Sequence, residues 1–88
     1  MWTVKLSRQA AEFLGSLTGK QRCQLELALQ LLSEDPRQGK ALKGELKGFW
    51  SWRVGIYRII YAIDSREVTV EVLRIQHRKE VYERLRGK

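Results

Sequence analysis

Trp2, Val4 and Leu6 alternate with Thr3 and Lys5, the period of a strand that buries one face. Ser7 stands where it can cap a helix, and Ala10, Phe13, Leu14 and Leu17 then fall on one side at helical spacing. Gly15 weakens that helix only locally. Thr18 with Gln21 has the form of a capping box. Behind it Leu25, Ala28, Leu29 and Leu32 share a stripe, widened by Leu31, which predicts a second helix to about Glu34. Asp35-Pro36 ends it, because a residue before proline avoids helical backbone. Two helices joined by one tight turn form a hairpin.

The stretch PRQGKALKGELKG has only Ala41, Leu42 and Leu46 as aliphatic anchors and is expected to be a loop. From Phe49 onward β-branched and aromatic residues dominate: FWSWRV, then IYRIIYAI after Gly55, then EVTVEVLRI after the turn Asp64-Ser65-Arg66. These are three strands joined by short turns. In the last one Val68, Val70 and Val72 face one way and Glu67, Thr69 and Glu71 the other, until the pattern breaks at Leu73-Arg74-Ile75. The tail HRKEVYERLRGK has helical composition and is too short to hold unless docked. The expected fold is α+β, in the order β-α-α-β-β-β-α, with the helical hairpin packed on a mainly antiparallel four-stranded sheet.

Composition narrows the function classes. The 88 residues, 43% hydrophobic and 31% charged, fit a single domain over 1–88. The lone Cys23 excludes a disulfide framework and, set beside apolar positions, reads as structural. No stretch approaches the roughly 18 apolar residues of a membrane span, and MWTVKLSRQ lacks the apolar centre of a signal peptide, so a cytoplasmic location without membrane contact is expected. The net charge of +7 implies a polyanionic or acidic partner. Walker loops, dinucleotide fingerprints and zinc-ligand spacings are missing, which argues for no cofactor and no metal.

The enrichment that remains is basic and aromatic and lies after Pro36. Lys40, Lys43, Lys47, Arg53, Arg74 and Lys79 are candidate RNA contacts, reading phosphate rather than sequence. Trp50 and Trp52 share a strand face and read as core or rim packing, with Arg53 on the other face.

The segment LKGELKGFWSWRVGIYRIIYAI, with its Leu-Lys-Gly before the sheet and its Arg-x-Gly-x-Tyr-Arg-x-x-Tyr hairpin, and the terminal HRKEVY together resemble the RelE/ParE superfamily of toxins from toxin–antitoxin pairs. The resemblance spans nearly the whole chain. It implies the element order above, no cofactor, and a cognate antitoxin protein that silences the toxin and can join it on operator DNA. The RelE branch implies cutting of messenger RNA on the ribosome, and the ParE branch implies action on DNA gyrase. By the RelE-branch pattern, Arg58 matches the arginine that steadies the phosphate, Arg78 the second family arginine and Tyr82 the terminal tyrosine. Two departures stand out. Phe49 and Ser51 occupy positions where well-studied members carry lysines, and Lys40 falls near a carboxylate position of a related branch.

RNA cleavage without metal needs a base for the 2′-hydroxyl, a positive clamp for the phosphorane and an acid for the leaving oxygen. Arg58 and Arg78 suit the clamp. His77, near the histidine of the related branch, can exchange a proton near neutrality and is the candidate base, while Tyr82 suits donation or stacking. Three functions compete: an endoribonuclease toxin, a gyrase-binding toxin that needs neither acid nor base, and a basic nucleic-acid-binding homologue.

Overall fold

A computed structural model describes residues 1–77. The elements are β1 (Thr3–Leu6), α1 (Arg8–Ser16), α2 (Gly19–Glu34), β2 (Lys40–Ala41), β3 (Trp50–Val54), β4 (Tyr57–Asp64) and β5 (Thr69–His77). Short 3-10 turns occupy Pro36–Gln38 and Gly44–Leu46. The strands form one five-stranded mixed sheet in the order β1-β5-β4-β3-β2. The sheet is mainly antiparallel, as expected, but it departs from the four-stranded expectation in two ways. First, β1 runs parallel to β5, Thr3 opposite Thr69 and Leu6 opposite Val72, with the helical hairpin and the other strands intervening in sequence. Second, the expected loop after Pro36 contributes an edge strand, with Lys40 opposite Ser51 and Ala41 opposite Trp50. The expected C-terminal helix lies outside the described residues.

The helices cover one face of the sheet. Ala10, Leu25, Ala28 and Leu32 pack over Val54, Ile59, Tyr61, Val70, Val72 and Ile75, all buried. Each fully buried large aliphatic contributes about 1.5–3 kcal/mol. Phe13 meets Tyr57 edge-on at 5.6 Å, and Trp50 stacks on Tyr61 at 6.2 Å, so Trp50 and Trp52 serve the core margin as expected.

Several local expectations change. Ser7 does cap α1, its hydroxyl accepting from the Ala10 N–H at 3.1 Å and donating to the Leu73 carbonyl at 2.7 Å. Thr18 holds the N-cap of α2 without a side-chain hydrogen bond, so no capping box forms. Leu31 and Cys23 are exposed on α2, because the helix rests on the sheet along the line of Leu25, Ala28 and Leu32, with Leu29 at its margin. Val68 is also exposed and has φ 51, part of a turn whose Asp64 Oδ1 accepts from the Arg66 and Glu67 N–H groups. The strand therefore begins at Thr69, two residues later than the expected start at Glu67.

Beyond Ser7 the chain leaves β1, and a side chain takes over the pairing with β5. The Gln9 amide donates to the Ile75 carbonyl at 3.1 Å and accepts from the Ile75 N–H at 3.1 Å. This satisfies backbone groups that β1 is too short to reach.

A β-bulge then decides which residues share a face. Ile60 opposes Arg74 and Tyr61 opposes Val72, leaving Leu73 as the extra residue. The bulge inverts the alternation of β5. Val70, Val72, Ile75 and His77 register with helix-covered residues of β4, whereas Arg74 and Gln76 register with Ile60 and Arg58 on the far face. Burial of Ile75 against Ile59 explains why the inversion is favourable, since both are fully buried.

Candidate functional site

Strands β2, β3 and β4 bring Lys40, Ser51, Arg53, Arg58 and Ile60 to the far face. Lys40 is opposite Ser51, Ser51 opposite Ile60, and Arg53 directly opposite Arg58. Gly39, Lys40, Ser51, Arg53 and Arg58 line a cleft of about 400 Å³. Three cations from three adjacent strands thus meet in one depression. Among the described residues lining it there is no carboxylate. Two arginines opposed across an antiparallel pair repel, a cost that an anion in the cleft would offset.

The floor is held more firmly than its rim. Ser51 is 6% exposed, and its hydroxyl accepts a 2.8 Å hydrogen bond from Arg58 Nη1. Gln76, opposite Arg58, is buried at 7%. Lys40 and Arg53 are exposed and reach into solvent. The segment carrying Lys40 is fastened below by Tyr61, whose hydroxyl donates to the Pro36 carbonyl at 2.6 Å and accepts from the Gly39 N–H at 3.1 Å. Burial raises the Tyr61 pKa above its ordinary 10.0, with Asp35 adding to the rise and the Gly39 N–H opposing it. Gly39 has no room for a side chain: a Cβ there would lie 2.5 Å from the Ser51 carbonyl oxygen and 2.9 Å from the Tyr61 hydroxyl.

The remaining candidates are distributed differently. Lys43 and Lys47 flank the exposed turn Gly44–Leu46 and do not line the cleft. Arg74 lines a separate apolar cavity of about 180 Å³ with Leu42, Leu46, Phe49, Ile60 and Leu73. His77 pairs with Tyr57 and so registers on the helix-covered face, across the sheet from Arg58. Arg78, Lys79 and Tyr82 lie outside the described residues. Among the described residues no three His, Cys, Asp or Glu side chains gather as metal ligands, and no helix is long and apolar enough to cross a membrane.

Sequence reasoning missed Ser51 and Gln76 as parts of the site. Ser51 was legible in principle, since it alternates with Arg53 between two tryptophans and must share the Arg53 face. Gln76 was not, because only the bulge brings it opposite Arg58.

Comparisons with known proteins agree on one family. Residues 4–82 match the model of the ParE toxin of type II toxin-antitoxin systems, parDE. Toxin RelG of Mycobacterium tuberculosis is 46% identical over 61 residues, covering 68% of this chain and 70% of that protein. The crystal structure of the toxin–antitoxin complex RelBE2 from the same organism superposes with a TM-score of 0.76 at 38% identity, over 86% of this chain and 90% of the matched one. The isolated RelE toxin of E. coli superposes at 0.74 with 21% identity, over 97% and 99%, and shows the shared fold.

Proposed function

The chain belongs to the ParE toxin family of type II toxin–antitoxin systems, and from that membership we propose that it is an endoribonuclease toxin of the RelE kind, cutting messenger RNA at the ribosome and silenced by a cognate antitoxin. The observation that carries this reading is the cleft in which Lys40, Arg53 and Arg58 converge. Guanidinium groups match the oxygens of a phosphodiester, and their charge is worth most where it faces the negative charge that develops during reaction.

In the proposed reaction the 2′-hydroxyl attacks the adjacent phosphorus, the bond from phosphorus to the 5′-oxygen breaks, and a 2′,3′-cyclic phosphate and a 5′-hydroxyl end result. Arg58 holds the non-bridging oxygens as charge builds, with Arg78 as its partner in the clamp. Lys40 and Arg53 hold flanking phosphates, and Lys43, Lys47, Arg74 and Lys79 extend the attraction along the RNA. Tyr82 donates toward the leaving oxygen. His77 has the chemistry of a proton acceptor, but its register with Tyr57 sets it on the face opposite Arg58 and argues against that role at the phosphate Arg58 holds. Antitoxin binding is supported by the RelBE2 likeness, that structure being a toxin–antitoxin complex.

One observation favours the gyrase reading instead: register sets His77 across the sheet from Arg58, and a gyrase poison needs no base. Primer extension on translated messenger after induction separates the two. Discrete cuts, abolished by co-expressed antitoxin, support the ribonuclease. Intact messenger with loss of gyrase supercoiling overturns it.

A further inference from the structure

Arg58 stands directly opposite Arg53, yet its side chain runs toward Ser51, two residue pairs along the strands and next on the same face. Ser51 is well placed to hold it. The residue is buried, its strand is paired on both sides, with Lys40 and with Ile60, and its carbonyl packs so closely on Gly39 that a Cβ there would come within 2.5 Å. The Ser51 hydroxyl accordingly sits on backbone with little freedom, 2.8 Å from Arg58 Nη1. A serine hydroxyl is a neutral acceptor. It can orient a guanidinium without cancelling its charge, whereas a carboxylate in the same place would orient and neutralise it together.

We propose that Ser51 is a positioning residue of the cleft, fixing the plane and reach of the Arg58 guanidinium so that a phosphodiester meets a preset donor. Its consequence for cleavage rests on the ribonuclease reading; its effect on Arg58 does not. The Ser51 hydroxyl lowers the reorganisation that Arg58 would otherwise undergo when negative charge develops.

The test has two arms. In the first, NMR of the side chain measures rotation of the Arg58 guanidinium about its Cζ–N bonds, with and without inorganic phosphate. Ser51→Ala is expected to speed that rotation, and unchanged rotation overturns the proposal whatever the cleavage assay gives. In the second, single-turnover cleavage is expected to fall about tenfold in Ser51→Ala, the worth of a hydrogen bond to a charged group, with RNA affinity nearly unchanged. Ser51→Thr, which keeps a hydroxyl on a strand-forming residue, restores most of the rate. Ser51→Asp holds the guanidinium still but weakens phosphate binding. In an Arg58→Ala background, Ser51→Ala should cost nothing more, because the two act as one unit; an equal loss in that background overturns the proposal. If the wild-type protein cuts no RNA, the ribonuclease reading falls, and rotation with phosphate titration still decides the role of Ser51.

Discussion

The hydroxyl of Tyr61, fully buried in the middle of the sheet, donates a 2.6 Å hydrogen bond to the carbonyl of Pro36. The same oxygen accepts from the Gly39 N–H at 3.1 Å. One side chain of the core thereby ties down the strap between α2 and β2, and with it the backbone that carries Lys40 to the cleft. Stability and site geometry are linked at this point.

Tyr61→Phe keeps the ring and its stacking on Trp50 but strands two backbone groups. Unfolding free energy should fall by about 1–3 kcal/mol, the cost of leaving buried polar groups without partners. Urea denaturation measures this. Affinity for an RNA oligonucleotide should fall in the same variant, since Lys40 is held through the strap. A loss of stability with unchanged RNA affinity would show that the strap does not position the cleft.

The raised Tyr61 pKa makes a statement about alkaline pH. The folded state ionises Tyr61 above the ordinary 10.0, so at high pH the unfolded chain loses this proton first. The corresponding stability is fully present below about pH 10 and is lost as pH rises from there through the folded pKa. Denaturation midpoints at neutral and strongly alkaline pH should therefore diverge more for the wild-type protein than for Tyr61→Phe. Equal divergence would remove Tyr61 as the source.

Gly39→Ala and Gly15→Ala should move stability in opposite directions. At Gly39 the new Cβ meets the Ser51 carbonyl oxygen at 2.5 Å, and backbone must shift, which costs about 1–3 kcal/mol. At Gly15, inside α1, a Cβ meets nothing within 4 Å, and alanine should stabilise by about 0.5–1 kcal/mol. Thermal unfolding of the two variants checks both signs.

Arg58→Ala should lower single-turnover cleavage of ribosome-bound messenger by about 10²–10³, as loss of a donor to developing charge does elsewhere. Arg58→Lys keeps the charge but loses the planar fork, and should recover only part of the rate. The fold should survive, because the substitution also removes the repulsion with Arg53 across the strand pair. Cleavage at the wild-type rate by a folded Arg58→Ala protein would remove this residue from the mechanism.

Apart from the two-residue β2, the elements of this protein and their order from β1 to β5 could be read from local chemistry. Strand alternation in Trp2, Val4 and Leu6, the helical stripe of Leu25, Ala28 and Leu32, and the break at Asp35-Pro36 are short-range signals, and each survives in the fold. So is the family resemblance, which rests on residues close together in sequence around Arg58. Pairing is another matter. The parallel union of β1 with β5 joins residues more than sixty apart, and the two-residue strand at Lys40 exists only because β3 offers it an edge. Neither leaves a periodicity to read. The site depended most on the bulge at Leu73. Continued alternation from Val70 and Val72 would carry His77 to the face of Arg58, and one extra residue sends it to the other side and puts Gln76 there instead. A strand's own pattern sets which residues share a face only while its register runs unbroken. Where burial of Ile75 against Ile59 outweighs that pattern, the partner strand decides, and the chemistry available beside Arg58 is decided with it.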